Sequence, residues 1–350
     1  MKNIFIIYTA IAFSILPAGS SQAEDLVLKT FLREEYDEPV SFIAKTNSSN
    51  LVFSTMDNNI VWERTEDFLT WHAVSSSKEY LVPVKKAKSA VFYRLSRCGP
   101  RPSKLYIPND YDPKKTYPLI LSLHGYTGNA KMQDRFFPLK DWAEKYDFIY
   151  SAPDGIDRSW NATDACCDRQ GKVDDSKYLR SLILKAMKEY NIDRKRVYIT
   201  GLSNGGFMSY RMAHDHSDLV TAIVPFAGVG FDKWPSNPKN PVSVLHIHGT
   251  RDRTIKWGGG GLRSARYPSA EDNFAKWRAF NKCAKKTDTS DLKIDLDRKV
   301  DGAETKVVRY ESKDGKVVTE LWEVVDGGHV TPPRSAARER IIKWMLARSK

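Results

Sequence analysis

The chain has 350 residues, of which 41% are hydrophobic, and a formal net charge of +12. This composition excludes a disordered chain and leaves room for one large globular domain with a small one beside it. The lysines and arginines are scattered, and no stripe of them alternates with stacking aromatic residues, so the sequence predicts a solvated basic surface and no nucleic-acid partner.

The first 23 residues are typical of a secretory signal peptide. Lys2 supplies a positive charge, residues 4–16 are mostly apolar, and residues 21–23 offer small side chains for cleavage. The apolar run is shorter than the ~20 residues that cross a bilayer, so we expect secretion to the extracellular or periplasmic side rather than a membrane anchor. No later stretch is as apolar, and we predict no membrane span.

Residues 24–95 contain short apolar runs between polar clusters. Runs such as NLVFST, NIVWER and AVFYRL, with no long helical period, predict a small β-rich module. Its aromatic residues are expected in its core, with a carbohydrate-binding surface as the alternative.

From residue 96 to residue 350, strands and helices alternate. The runs YPLILSLHG, FIYSAP, RVYITG, AIVPFAG and VSVLHIHG are continuously apolar, as in a parallel sheet that is covered on both faces. Helices are predicted near 137–146, 175–190 and 271–281, after Asn204, and from about 334, with paired strands near 305–325. This order predicts a doubly wound, mostly parallel α/β domain.

The segment GLSNG, residues 201–205, matches the pattern G-x-S-x-G at a strand-to-helix turn. Gly201 and Gly205 relieve crowding there, so that Ser203 stands exposed. A serine hydroxyl needs a base to remove its proton and a carboxylate to orient that base. Asp252 and His329 each follow a predicted strand, in the chain order Ser, Asp, His. We therefore predict a catalytic triad of these three residues.

The stretch LILSLHGYTGN, residues 119–129, is a buried strand followed by a tight loop. The backbone N–H groups of Tyr126 in this loop and of Asn204 after the serine are the candidates for an oxyanion hole. The alternative is an ordinary turn between a strand and a helix.

Two histidines, His246 and His248, lie on the strand before the candidate acid. A zinc site would need a third ligand, and no residue stands at a convincing spacing. We interpret the pair as satisfied core groups that point to opposite faces of the strand. The sequence also has no phosphate-binding or dinucleotide fingerprint, so we predict neither a metal nor a cofactor.

Four cysteines, an even set, allow two disulfides in a secreted chain. They are Cys98, Cys166, Cys167 and Cys283. Because adjacent cysteines seldom bond to each other, we expect Cys166 and Cys167 to pair with the other two in one order or the other. A single bridge with two free thiols is the alternative.

Several motifs together resemble the secreted polyhydroxybutyrate depolymerase-like and feruloyl-esterase-like serine esterases of the α/β-hydrolase superfamily. They are LHGYTGN, APDG, SWNATDACC, VDDSKYLRSLI, GLSNGGFMSY, HIHGTRD, WRAFNKC and DGGHVTPP, spread over about residues 99–345. The resemblance implies Ser203 as nucleophile, Asp252 as acid and His329 as base. It also implies an ester substrate: feruloyl or acetyl groups on plant polysaccharide, or short hydroxyalkanoate polyesters.

One departure from that family follows the histidine, where a Trp-Pro pair is common and this chain has VTPP. The pocket near His329 is therefore expected to differ. Residues 24–95 lie outside the match and look, more loosely, like a fibronectin- or immunoglobulin-like module. Two other functions are open: a serine peptidase of the prolyl-oligopeptidase type, which shares the fold and the triad order, and a non-catalytic protein that binds a polymer. The sequence makes no prediction about the oligomeric state.

Overall fold

The computed structural model describes residues 103–167, 173–262 and 265–350, and the strand backbone within residues 42–96. The chain divides into two compact units, Met1–Pro100 and Arg101–Lys350. The expected signal peptide, Cys98 and the side chains of the β-rich module lie outside the described residues.

The described backbone of the first unit forms six strands, each four to six residues long. They are β1 (Phe42–Thr46), β2 (Asn50–Thr55), β3 (Val61–Thr65), β4 (His72–Ser75), β5 (Glu79–Pro83) and β6 (Phe92–Ser96). They form two three-stranded sheets, in the orders β1-β2-β5 and β4-β3-β6. Every pairing within these two sheets is antiparallel.

The second unit is built on a nine-stranded sheet. Its strands are β7 (Leu105–Tyr106), β8 (Tyr117–Leu123), β9 (Ile149–Ser151), β10 (Ile192–Leu202), β11 (Ala222–Phe226), β12 (Ser243–Gly249), β15 (Lys285–Thr287), β16 (Thr305–Glu311) and β17 (Val318–Val324). A separate hairpin consists of β13 (Gly260–Leu262) and β14 (Ala265–Tyr267).

The strand order is β15-β16-β17-β12-β11-β10-β8-β9-β7. The six strands from β17 to β9 in this order run parallel to one another, while β7 and β16 pair antiparallel at the two sides. The mostly parallel sheet and the paired strands near 305–325 are as predicted from the sequence.

Within residues 103–167, 173–262 and 265–350, six α-helices accompany the sheet. They are α1 (Ala130–Phe136), α2 (Lys140–Tyr146), α3 (Asp175–Glu189), α4 (Asn204–Asp215), α5 (Ala270–Phe280) and α6 (Ser335–Leu346). The predicted helix near 137–146 corresponds to α2 alone, whereas α1 was not predicted. Pro138 lies between the two helices, and the side chain of Asn129 caps α1 by accepting a hydrogen bond from Met132 N. Among the described residues, no helix is both long and apolar enough to cross a membrane.

Two apolar cores lie on opposite faces of the sheet. Leu119 and Leu121 of β8 pack with residues of α3, α4 and α5, and Ile120 between them packs with residues of α1, α2 and α6. The alternation follows from the two-residue period of a strand, which sends neighbouring side chains to opposite faces. Helices on both faces confirm the doubly wound α/β prediction, and the sheet has the α/β-hydrolase fold.

Candidate active site

Ser203 lies at the sharp turn between β10 and α4. Its backbone has φ 54° and ψ −115°, in the left-handed half of the map that a non-glycine residue rarely occupies. Ser203 N–H donates to Phe226 O at 2.7 Å. A Cβ atom on Gly205 would stand 2.1 Å from Leu123 O, and one on Gly201 would stand 2.5 Å from the Gly205 backbone. The two predicted glycines are therefore required by the close approach of three backbone segments.

Three parallel strands carry the predicted triad to one edge of the sheet. Ser203 follows β10, Asp252 follows β12, and His329 follows β17. Ser203 Oγ lies 2.9 Å from His329 Nε2, and His329 Nδ1 lies 2.7 Å from Asp252 Oδ2. This geometry suits removal of the serine proton by the imidazole, whose other nitrogen donates to the carboxylate.

The carboxylate of Asp252 is buried but well supplied with donors. Its Oδ1 accepts hydrogen bonds from Thr254 N at 2.8 Å and Ile255 N at 2.9 Å. Burial raises the pKa of Asp252, but hydrogen bonds from His248, His329 and the Ile255 N–H outweigh burial and hold the pKa below its usual value of 3.8. Asp252 therefore stays ionised beside His329 at neutral pH.

The loop after β8 lies against the nucleophile. A Cβ on Gly125 would stand 3.6 Å from Ser203 Cβ, and the next residue, Tyr126, is exposed. Asn204 is the first residue of α4. The two residues predicted to form the oxyanion hole thus come from the two segments that meet at Ser203. That their N–H groups donate to an oxyanion stays a prediction.

Two residues that the sequence did not single out hold this loop in place. His124 Nε2 accepts from Gly155 N at 2.9 Å, and His124 Nδ1 donates to Gly125 O at 2.8 Å. Trp160 Nε1 donates to His124 O at 3.0 Å. The Asn204 side chain accepts from Trp160 N at 2.7 Å and donates to Trp160 O at 2.8 Å. The motif SWNATDACC, which is part of the family resemblance, is the sequence signal that contains Trp160.

The prediction that His246 and His248 point to opposite faces is wrong. Residues two apart on a strand share a face, and His246 Nε2 lies 3.1 Å from His248 Nδ1. His248 also reaches Asp252, with 3.4 Å between His248 Nε2 and Asp252 Oδ2. Within the described ranges, no group of three or more His, Cys, Asp or Glu side chains is arranged to hold a metal ion.

The predicted disulfide pairing is also wrong. Cys166 and Cys167 are bonded to each other, and Cys283 is a buried free thiol. Cys166 and Cys283 lie at opposite ends of the strands. Cys166 Sγ is 3.6 Å from the Asn204 side chain at the carboxyl ends of the strands, whereas Cys283 Sγ is 3.4 Å from Val317 O, just before β17 begins. Thiols at opposite ends of the sheet cannot bridge.

Residues 99–290 match the Esterase family, whose description is "Putative esterase". A bifunctional acetylxylan esterase/xylanase of Neocallimastix patriciarum is 29% identical over 165 residues, 47% of this chain and 23% of that protein. Feruloyl esterase B of Piromyces equi is 24% identical over 237 residues, 63% and 41% of the two chains.

A third relative, named "Probable acetylxylan esterase A", from Aspergillus fumigatus, is 26% identical over 205 residues, 56% of this chain and 54% of that protein. The chain thus spans from about a quarter to about half of the length of these three curated relatives.

Proposed function

The chain belongs to the Esterase family, and we propose that it is a secreted serine carboxylesterase that uses Ser203, His329 and Asp252. The observation that carries the proposal is the unbroken contact from Ser203 Oγ through His329 to Asp252, with distances of 2.9 Å and 2.7 Å. The three residues come from three separate loops, and Ser203 and His329 are 126 residues apart in sequence. Secretion rests on the signal-like sequence of residues 1–23.

In this proposal, Ser203 Oγ attacks the ester carbonyl carbon while His329 Nε2 takes the hydroxyl proton. The oxyanion that forms is stabilised by the N–H groups of Tyr126 and Asn204. His329 then gives its proton to the departing alcohol oxygen, and an acyl group remains on Ser203. Water, deprotonated by His329, attacks the acyl carbon, and the acid leaves as Ser203 regains its proton.

The substrate class we propose is an acyl ester of plant polysaccharide, with feruloyl ahead of acetyl. The names of the relatives support this class. Apolar side chains on the loops around the site favour a large acyl group. Four of the five exposed large hydrophobic side chains in the described chain lie on the loops near Ser203 and His329, or on the helix that follows one of them. They are Tyr126, Met132, Ile156 and Val330.

Contacts between these loops support a shared surface. Thr127 N donates to Arg158 O at 2.8 Å, and Arg158 Nε donates to Gly128 O at 3.3 Å. The segment that contains Ile156 is thereby joined to the one that contains Tyr126. An aromatic acyl group would cover more of this apolar surface than an acetyl group would.

The test is release of free acid from methyl ferulate, acetylated xylan, a hydroxybutyrate oligomer and a peptide amide, each with the wild type and with Ser203→Ala. We expect release from methyl ferulate that Ser203→Ala abolishes. Release from the peptide amide alone would instead establish a peptidase. Folded wild-type protein that releases nothing from any of the four would overturn the proposed esterase activity on these substrate classes.

A further inference from the structure

A chain of buried polar side chains continues inward from the triad acid. Tyr210 of α4 lies with its hydroxyl 2.9 Å from His246 Nδ1, and His246 Nε2 lies 3.1 Å from His248 Nδ1. His248 Nε2 lies 2.8 Å from Ile255 O and 3.4 Å from Asp252 Oδ2. Tyr210, His246 and His248 are fully buried. These residues form what we call the inner chain, defined as Tyr210, His246 and His248.

The proton positions in the inner chain follow from one carbonyl. Ile255 O can only accept, so His248 Nε2 carries a hydrogen. In the neutral ring, His248 Nδ1 is then the acceptor, and His246 Nε2 must donate to it. This leaves His246 Nδ1 to accept from the Tyr210 hydroxyl. All donors therefore point outward from the core, and the Nε2–H of His248 is fixed on the side of the ring that faces both Ile255 O and Asp252 Oδ2.

Burial, and then the neighbouring His248, push the pKa of His246 well below its usual value of 6.5. His246 is therefore uncharged at neutral pH, and its Nε2–H stays directed at His248. Protonation of His248 would require His246 to give up this donor role, because both nitrogens of a charged imidazole carry hydrogens.

Asp252 divides its two oxygens between two tasks. Oδ1 is held by two backbone N–H groups of its own loop. Oδ2 accepts from His329 at 2.7 Å, and it also lies 3.4 Å from His248 Nε2, whose single hydrogen has its shorter contact with Ile255 O at 2.8 Å. A carboxylate oxygen that already accepts one hydrogen bond is a weaker base toward a second donor. The two histidines therefore compete for one oxygen.

We propose that His248 is a positioning residue that acts through Asp252: by sharing Oδ2, it limits how strongly the acid stabilises the protonated form of His329. This inference rests on the proposed function, in which His329 is the base, because sharing Oδ2 keeps that base unprotonated at lower pH. The inner chain holds His248 in its donor role, because any other tautomer would set two donors or two acceptors face to face.

The groups around this site come from three parts of the chain. From β12 and the loop after it come His246, His248 and Arg251; from the loop after β17 come His329 and Asp326; from α4 and the turn before it come Tyr210 and Ser203. Arg251 and Asp326 pair with each other at 2.8 Å and are more than half exposed, so solvent screens them. Trp257, which packs edge-on against His248, is uncharged.

Two amide substitutions of His248 separate its inward and outward contacts. In His248→Asn, the short amide replaces the Nδ1 side of the ring and can still accept from His246, but it cannot reach Asp252. In His248→Gln, the longer amide places an N–H group where Nε2 stood and restores the donor to Asp252 and Ile255 O. Both variants leave a polar group in the same buried position, so each is the control for the other.

The measurement is the titration of the His329 imidazole by NMR in the mature chain, with the signals assigned by His329→Ala. In His248→Asn we expect the midpoint to rise by roughly half a unit to one unit, and in His248→Gln to return toward wild type. The acidic limb of kcat/KM on methyl ferulate should move in the same way. Well below the midpoint, kcat/KM then falls by about three- to tenfold, with little change on the high-pH plateau.

An unchanged midpoint in folded His248→Asn would overturn the proposal, as would an equal rise in both variants, because a packing role makes no distinction between them. If His248→Asn does not fold, a raised midpoint in folded His248→Gln would also overturn it. The NMR midpoint needs no turnover. If the wild type hydrolyses none of the esters, the proposed function is wrong, but the NMR midpoints still test the role of His248.

Discussion

Two buried carboxylates, one on β17 and one just after the neighbouring strand β12, have contrasting hydrogen-bond partners. Glu320 of β17 is fully buried and accepts from Arg309 Nε at 2.7 Å, Trp322 Nε1 at 2.6 Å and Trp344 Nε1 at 2.8 Å. Asp252, after β12, accepts instead from His329 and two backbone N–H groups, and a second imidazole nitrogen, His248 Nε2, lies 3.4 Å from it.

The contrast lies in whether the partner's charge can change. Arginine keeps its proton at all ordinary pH values, so the charge of Glu320 is compensated permanently, as suits a structural anchor between β16, β17 and α6. Imidazole gains and loses a proton near neutrality, so the charge beside Asp252 can change during a reaction. Burial alone therefore does not mark a functional carboxylate; the titratable partner does.

The largest effect is expected for Asp252→Asn. The amide is nearly the same size but cannot stabilise the protonated His329, and it favours the wrong tautomer of the imidazole. We expect kcat on methyl ferulate to fall by about 10⁴-fold while the protein stays folded. Steady-state kinetics with circular dichroism as the folding check measures this. A loss below tenfold would show that Asp252 is no more functional than Glu320.

Next in size is the loss of stability in Glu320→Leu. Removing the acceptor leaves Arg309 and the two indole N–H groups without their partner, which costs about 3 kcal/mol in the free energy of unfolding. Denaturant unfolding measures this, and kcat per folded molecule should remain near that of the wild type. A large fall in kcat with unchanged stability would reverse the roles given to the two carboxylates.

A smaller effect concerns pH. Because the folded-state pKa of Asp252 is held below its usual 3.8, this group contributes stability that is present above 3.8 and is lost as the pH falls through the folded-state pKa. The unfolding free energy should therefore drop between pH 5 and pH 2, and the drop should be smaller in Asp252→Asn by about 2 kcal/mol. An equal drop in both proteins would contradict the assigned direction of the shift.

Local sequence patterns predicted two parts of the site: the turn around Ser203 and the strand ends that carry the other two triad residues. Gly201 and Gly205 are needed by the turn itself, and Asp252 and His329 follow apolar strands whose carboxyl ends meet in any parallel sheet. The helix α1 was missed because Pro138 divides a helical region into two short pieces. The hairpin of β13 and β14 was missed because the four consecutive glycines at 258–261, where β13 begins, lack the alternation of a strand.

Long-range contacts were beyond the sequence. Nothing in the spacing of the cysteines tells which edge of the sheet each one reaches, so Cys283 was matched with thiols that lie at the other end. His246 and His248 are an exception, because the two-residue period of a strand is enough to place both side chains on one face. The Trp160 contacts with Asn204 and His124 join segments 36 to 44 residues apart, so the motif that contains Trp160 does not reveal these partners.

The most direct test of Ser203 as the nucleophile is covalent labelling with a fluorophosphonate, followed by mass spectrometry of the peptides. We expect one adduct, on Ser203 in the segment YITGLSNGGFMSY, with labelling abolished in Ser203→Ala and slowed in Asp252→Asn. A label on another residue, or none on folded wild-type protein, would contradict it.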